Sequence, residues 1–503
     1  MSDRPTTLVE LVAAAVERGP DRLLLAGPDD APLTYGDAWR AAGRVANALR
    51  AEGVAPGDRV AAQVEKSAGV VPLYLGCLRA GAVYLPMSAA YTPDEVGYLL
   101  GDAEPSLFVR DPDLAAVDTD VRILAFDGDG DGPLTDLAST RPEQVDGRPP
   151  APNEPAALLY TSGTTGRPKG ALLTQAGLAS NALALRDAWG FSADDVLVHS
   201  LPLHHAHGLF ISMGCTLASG SALTFLRGFD PAVTIKAFAD ATVFMGVPTH
   251  YVRLLDDPTL DEERTAGMRL FVSGSAPLLP RTHEAFAERT GHRILERYGA
   301  TETMVMTTNP LAGERRPGSV GRALPGVSVR IGARPTDPVL DRDDGTGAVE
   351  VAGPSVFTGY WRRPDLHDET FTADGWYRTG DVGRFDEDGY LHLVGRSKDL
   401  IISGGLNVYP KEVEDALDAL PGVDESAVIG LPDADFGEAV VAVVVAEPGA
   451  TLDEARIRTD LRARLAAFKV PKRVVVVPAL PRNVMGKVEK HRLRSLLGQP
   501  VTD

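Results

Sequence analysis

Leu158-Leu159-Tyr160-Thr161-Ser162-Gly163-Thr164-Thr165-Gly166-Arg167-Pro168-Lys169-Gly170 is the stretch on which the reading of the chain turns. Residues 156–160 are an apolar run, as in a buried strand, and they lead straight into a loop of glycines and hydroxyl side chains. Glycines let several backbone N–H groups turn toward one point. Ser162, Thr161, Thr164 and Thr165 add hydroxyl donors, and Lys169 adds a positive charge. That combination suits a polyphosphate. A flexible linker of the same composition would lack the flanking apolar runs, here 156–160 and Ala171-Leu172-Leu173. A Walker A loop is excluded, because that motif needs Gly-Lys-Ser/Thr in order and here Lys169 precedes Gly170.

The bulk numbers set the frame. A chain of 503 residues predicts roughly two to four domains. The net charge of −19 opposes nucleic acid or an anionic membrane surface as partner, though not an anionic substrate in a local pocket. Cys77 and Cys215 are the only cysteines, which disfavours a disulfide framework and suggests a reducing cytoplasm. No apolar run reaches the ~18 residues of a membrane span, and Met1-Ser2-Asp3-Arg4-Pro5 does not read as a secretion signal.

The stretch resembles the phosphate loop of the adenylate-forming acyl-CoA synthetases, and the resemblance extends over nearly the whole chain. It implies an α/β fold: a large N-terminal domain of helix-covered, mostly parallel sheets with a β-barrel-like subdomain, residues 1–397, and a small mobile α+β lid, residues 398–503. The pattern of residues 33–105 agrees, with helices expected at 35–53 and 70–80, strands at 58–64 and 83–86, and a helix start at Thr92-Pro93-Asp94-Glu95. No chemistry is read in that region. Residues 111–155, with the run Asp127-Gly128-Asp129-Gly130-Asp131-Gly132, read as a solvated connection, since no Glu closes an EF-hand loop.

The remaining motifs acquire roles through the resemblance. In Leu201-Pro202-Leu203-His204-His205-Ala206-His207, zinc is disfavoured for want of further ligands. Similar synthetases place this segment beside the acyl pocket, with His207 lining it, and the run 241–249 forms another wall. Ser275, Ala276 and Pro277 follow an apolar strand and would cover adenine. In Glu296-Arg297-Tyr298-Gly299-Ala300-Thr301-Glu302, Tyr298 is a ring suited to adenine, Thr301 a phosphate donor and Glu302 a hard-oxygen ligand for Mg²⁺. The Glu-Arg-Tyr-Gly form is similar to that of malonyl-CoA synthetases, so Arg297 and Ser275 are candidates to hold a second carboxylate. Ala206 and Val305 stand where Thr and Met are usual, which would enlarge the pocket and admit a C2-substituted malonate. Asp381 and Arg396 resemble the ribose contacts, Lys398 the hinge, and Gly404 and Gly405 the loop that approaches the pantetheine thiol of CoA. Lys487, in Pro481-Arg482-Asn483-Val484-Met485-Gly486-Lys487, resembles the lysine of the first step.

The expected activity is therefore an acid–CoA ligase: ATP activates a small dicarboxylate as acyl-AMP, then CoA takes the acyl group. A ligase for another acid (aromatic or short-chain), or one with another acceptor, is the nearest rival. An inactive nucleotide-binding protein is the rival of a different class, opposed by the presence of Lys169, Glu302, Asp381, Arg396 and Lys487 together.

Overall fold

The computed structural model describes residues 6–161, 168–332, 345–403, 406–433, 436–483 and 486–498. They form two compact units, one of Met1–Val329 with Val351–Tyr377 and one of Arg330–Glu350 with Arg378–Asp503. The boundary expected at 397/398 thus falls inside the second compact unit.

The first unit carries two sheets. One has six strands in the order Ile123–Ala125, Leu107–Arg110, Arg59–Gln63, Val83–Met87, Pro155–Thr161, Lys169–Thr174. All neighbours are parallel except the last pair. Its inner strands are buried on both faces, which is why Val83–Met87 shows no polar alternation. The helices expected from caps form where the caps are. Thr92 and Glu95 make a reciprocal capping box with Pro93 in the first turn, and Thr34 caps Tyr35–Ala51. The Asp/Gly-rich connection is more ordered than expected. Ile123–Ala125 joins the sheet edge and Pro133–Ser139 forms a helix, because Leu124, Leu134 and Ala138 find buried positions.

The second sheet has six parallel strands in the order Leu295–Ala300, Leu270–Ser273, Val243–Gly246, Val196–His199, Ala222–Phe225, Leu23–Ala26. Antiparallel strands extend it at both ends: Met304–Thr308 and Arg322–Ala323 beyond the first, Leu33–Thr34 beyond the last. Behind it Phe238, Phe244, Tyr251, Phe271 and Phe286 pack mostly edge to face, for example Phe238 and Phe271 with centroids 5.5 Å apart at 88°. Ligands of such sheets gather beyond the carboxyl ends of the strands. Ser273, Gly246 and His199 mark those ends here.

Most of a four-stranded sheet (Ser328–Gly332, Gly347–Ala352, Tyr377–Phe385, Leu391–Arg396, in that order) falls in the second unit, where a β-barrel-like subdomain is expected; among the described residues the sheet is open. A second sheet is centred on Gly437–Ala446 and Val423–Asp433, paired antiparallel. Along Gly437–Ala446 the side chains alternate between two cores. Val440, Ala442 and Val444 face one, with Val413, Leu417 and Leu461 of the helices Pro410–Asp418 and Glu454–Arg462. Val441, Val443 and Val445 face the other, with Leu493 of Lys490–Leu497. The helix Glu454–Arg462 stops there because beyond Leu461 the next fully buried residue is Val470. Among the described residues no helix is long and apolar enough to cross a membrane.

Candidate functional site

The phosphate-loop residues Ser162, Gly163, Thr164, Thr165 and Gly166 lie outside the described residues, but their two anchors do not. Thr161 and Lys169 pair across antiparallel strands, and among the described residues the next helix begins at Gln175, after the strand Lys169–Thr174. Thr161 Oγ1 lies 3.4 Å from the Oε1 of Glu302. Glu302 sits with Thr301 in the turn between Leu295–Ala300 and Met304–Thr308, and it is buried. Its main-chain carbonyl accepts from Phe357 N at 2.7 Å, so a neighbouring segment fixes the turn.

The same segment supplies a residue that no sequence signal indicates. Tyr360 donates from its hydroxyl to Glu302 Oε1 at 2.8 Å, and the Lys169 ammonium lies 5.5 Å from its ring centre. Burial, followed by the Glu302 charge, pushes the Tyr360 hydroxyl well above its usual range, so it stays protonated and donates. The strand Lys169–Thr174 is tied to this segment again through Trp361 N, which donates to Gly170 O at 2.7 Å. Thr161, Lys169, Glu302 and Tyr360 are one cluster.

Whether Mg²⁺ suits this cluster is a matter of donor chemistry. The carboxylate of Glu302 and the hydroxyl of Thr161 are hard oxygens, and among the described residues no group of three or more His, Cys, Asp or Glu forms a cage. Magnesium is typically held by one or two carboxylates, with phosphate oxygens and waters completing an octahedron. The residues present fit.

A second cluster lies at the carboxyl end of Leu270–Ser273. Arg297, on Leu295–Ala300, is 5% exposed, and its Nε and Nη2 have no hydrogen-bond partner among the described residues. Such an orphan is costly in a buried place. Gly274 makes the space: a Cβ there would lie 2.4 Å from Arg297 Nε. Ser275 follows with φ of +73°, a left-handed conformation unusual for a residue with a side chain. It turns its hydroxyl to 3.2 Å from His207 Nδ1. Burial and then the Arg297 charge hold His207 well below the ordinary imidazole range, so its ring is neutral. The His207 Nε2 is buried and without a hydrogen-bond partner among the described residues. His250, a further residue not singled out from sequence, stacks on Phe229 at 3.8 Å and is also buried enough to be neutral, down to about 3.

His207 opens a π-helical turn, His207–Ser212, a geometry concentrated at functional sites. Ala206 precedes it and is buried, as is Val305 on the strand next to Arg297. Ala276 is half-buried and Pro277 exposed, and the turn they form is tied back by Leu278 N donating to Glu296 Oε1 at 3.3 Å. Tyr298 is half-buried one residue beyond Arg297. Gly299 is required by the hairpin, since a Cβ there would meet the Met304 carbonyl at 2.0 Å.

In the second unit, Asp381 and Arg396 face each other across antiparallel strands and form an ion pair at 3.1 Å. Lys398 lies in the short turn Ser397–Asp399, with its side chain outside the described residues, as are Gly404 and Gly405. Lys487 is exposed on a tight turn, its N–H donating to Asn483 Oδ1 at 3.0 Å, with Gly486 at φ of +73°.

The family model described as "AMP-binding enzyme" matches residues 12–361, and that of the "AMP-binding enzyme C-terminal domain" matches 412–487. The ATP-bound crystal structure of MatB from Rhodopseudomonas palustris is similar over 98% of this chain and 99% of its own, with 49% identity and a TM-score of 0.94. The sulfoacetate–CoA ligase of Cupriavidus necator is 35% identical, covering 97% of each chain. The malonate–CoA ligase of Arabidopsis thaliana is 35% identical over 88% of this chain and 78% of its own. Others of similar identity are named for aromatic acids. The chain belongs to the AMP-binding enzymes and is an adenylate-forming acid–CoA ligase that uses ATP and CoA.

Proposed function

We propose that this ligase acts on a small dicarboxylate, malonate or a C2-substituted malonate. The supporting observation is the buried guanidinium of Arg297, whose Nε and Nη2 find no acceptor among the described residues. A carboxylate accepts two parallel N–H bonds from that edge, and in a buried place the charge-assisted pair is strong. Ser275 adds a hydroxyl, and neutral His207 adds a ring nitrogen without adding charge. Sulfoacetate and malonate, the acids named for two relatives, each carry a second anionic group. Buried Ala206 and Val305 are the small residues proposed to leave room at C2.

In the first half-reaction the free carboxylate of the acid attacks the α-phosphorus of ATP. The bond to the β-phosphate oxygen breaks, pyrophosphate leaves and acyl-AMP remains. No protein nucleophile takes part, so the chain acts by positioning and by neutralising charge. Thr161, Ser162, Gly163, Thr164, Thr165, Gly166, Lys169 and Thr301 are proposed for the phosphates, and Glu302 with Thr161 for Mg²⁺, which when bound lowers the charge of the triphosphate. Ser275, Ala276, Pro277, Glu296, Arg297, Tyr298 and Gly299 are proposed to frame the nucleotide, Asp381 and Arg396 to hold its ribose, and Lys487 to neutralise charge developing between carboxylate and α-phosphate. In the second half-reaction the CoA thiol, approaching by Gly404 and Gly405, attacks the acyl carbonyl. The carbonyl–phosphate bond breaks, AMP leaves, and Lys398 is the proposed hinge between the two steps.

The test is direct. Purified protein with ATP, Mg²⁺ and CoA is given malonate, methylmalonate, sulfoacetate, acetate and an aryl acid in turn, and products are weighed by mass spectrometry. The reading expects malonyl- or methylmalonyl-CoA with AMP and pyrophosphate. Equal thioester yield from acetate, or exclusive use of the aryl acid, would overturn it.

A further inference from the structure

A buried lysine stands outside every group assigned so far. Lys66 lies between the strand Arg59–Gln63 and the helix Val70–Ala80, in the region whose sequence shows no chemistry. Its Nζ donates to the main-chain carbonyls of Leu226 at 2.6 Å and His199 at 2.8 Å, and it lies 2.9 Å from His199 Nδ1. Phe225 offers its ring face 4.5 Å from the same nitrogen. The side chain thus ties the six-stranded sheet to the carboxyl ends of two strands of the other sheet, Val196–His199 and Ala222–Phe225.

Three ammonium hydrogens meet three acceptors, which assigns the protons. With Lys66 charged, His199 Nδ1 accepts, its proton rests on Nε2, and that N–H donates to the Gly208 carbonyl at 3.0 Å. A neutral Lys66 would have two N–H groups for these three acceptors, so either its lone pair would face a main-chain carbonyl or Nδ1 would carry the proton and the Nε2 lone pair would face the Gly208 oxygen. Burial draws the Lys66 ammonium well below its ordinary range, opposed by the charge of Asp30, and its three acceptors are what favour the charged form; His199, depressed to about 3 by burial and then by the Lys66 charge, is neutral and holds one ring proton.

Gly208 is the second residue of the π-helical turn that His207 opens. Its other side is wedged: a Cβ at 208 would lie 2.2 Å from the Pro202 carbonyl oxygen. The backbone bearing His207 is therefore fixed between residue 202 and the His199 ring.

We propose that Lys66 and His199 are positioning residues for the acid pocket. The ammonium orients the imidazole, the imidazole holds the Gly208 carbonyl, and the held backbone sets the His207 ring against Ser275. This rests on the reading of His207, Ser275 and Arg297 as the pocket for the acid.

The experiment uses full-length enzyme and whichever acid the parent turns over best, so it is independent of which acid that proves to be. KM is measured for the acid and, separately, for ATP in the parent, Lys66→Met, His199→Leu and His199→Gln, with a melting curve for each. Lys66→Met and His199→Leu should raise the acid KM by about 10–100-fold with the ATP KM within about twofold, the scale expected when a reacting group shifts by about an ångström. His199→Gln, whose amide supplies one acceptor and one donor, should return most of the lost acid affinity. A parallel rise of both KM values, an unchanged acid KM, or Gln no better than Leu would overturn the proposal. If Lys66→Met does not fold, the Gln and Leu variants of His199 decide it alone. If acetate serves the parent as well as malonate, the dicarboxylate reading falls, and the relay is judged with acetate.

Discussion

A buried guanidinium edge that finds no acceptor among the described residues demands a reason, and the Nε and Nη2 edge of Arg297 is such a group. Burial lowers it to about 10, so at neutral pH it is still charged. Because its folded value lies below its unfolded one, the charged form is penalised in the fold at every pH below about 10, and the penalty is relieved only above that. An anion bound at the guanidinium relieves it at neutral pH. Malonate should therefore raise the melting temperature, while acetate at equal concentration should do so far less, as differential scanning fluorimetry would show. The neutral state of His207 has its own signature. The KM for the acid should show no break near pH 6.5, the range where an ordinary histidine titrates, and a break there would mean that His207 carries a proton in the free enzyme. Arg297 was legible in the sequence because the Glu-Arg-Tyr-Gly motif is unusual. The room for its side chain was not, because Gly274 acts on it from another strand end.

At the scale of elements, the proposed chemistry falls on two short connections, and each is fixed by a partner remote in sequence. The turn after Leu270–Ser273 holds Ser275 in a left-handed conformation that costs about 1–3 kcal/mol for a residue with a Cβ. Ser275→Gly should leave the melting temperature unchanged or higher, yet raise the malonate KM. A lower melting temperature with unchanged KM would place Ser275 in the fold rather than in the pocket. The turn bearing Glu302 depends on Tyr360. Removing its hydroxyl in Tyr360→Phe deletes a hydrogen bond to a charged acceptor, typically about 1.5–3 kcal/mol, so the requirement for Mg·ATP should rise by roughly 10-fold or more while acid KM holds. Elements with strong caps or a two-faced apolar run, such as Pro93–Ala103 and Val83–Met87, could be read directly. Tyr360, Lys66 and His199 could not, since a tyrosine, a lysine and a histidine with no local motif gain meaning from contacts made 58 to 160 residues away, and the hydrogen bond of His199 to Gly208, nine residues on, is set by a fold the local sequence does not announce.

For the molecule as a whole, the chain's two compact units divide the proposed roles. The first holds the clusters around Glu302 and Arg297, and the second holds Asp381, Arg396 and Lys487. The proposed roles make the two half-reactions separable by mutation. Lys487→Ala should abolish acyl-adenylate formation, where losing one transition-state contact costs about 2.7–4 kcal/mol, yet largely spare thioester formation from supplied acyl-adenylate. Equal loss in both would remove Lys487 from the first step. What tests the central claim most directly is acid-dependent exchange of labelled pyrophosphate into ATP, measured for the parent and Arg297→Met with malonate and with acetate. With a buried charge left unpaired by acetate, the parent should favour malonate by roughly 10²–10³-fold in kcat/KM, and Arg297→Met should erase most of that preference. Equal exchange with both acids in the parent, or a preference that survives the loss of Arg297, would contradict it.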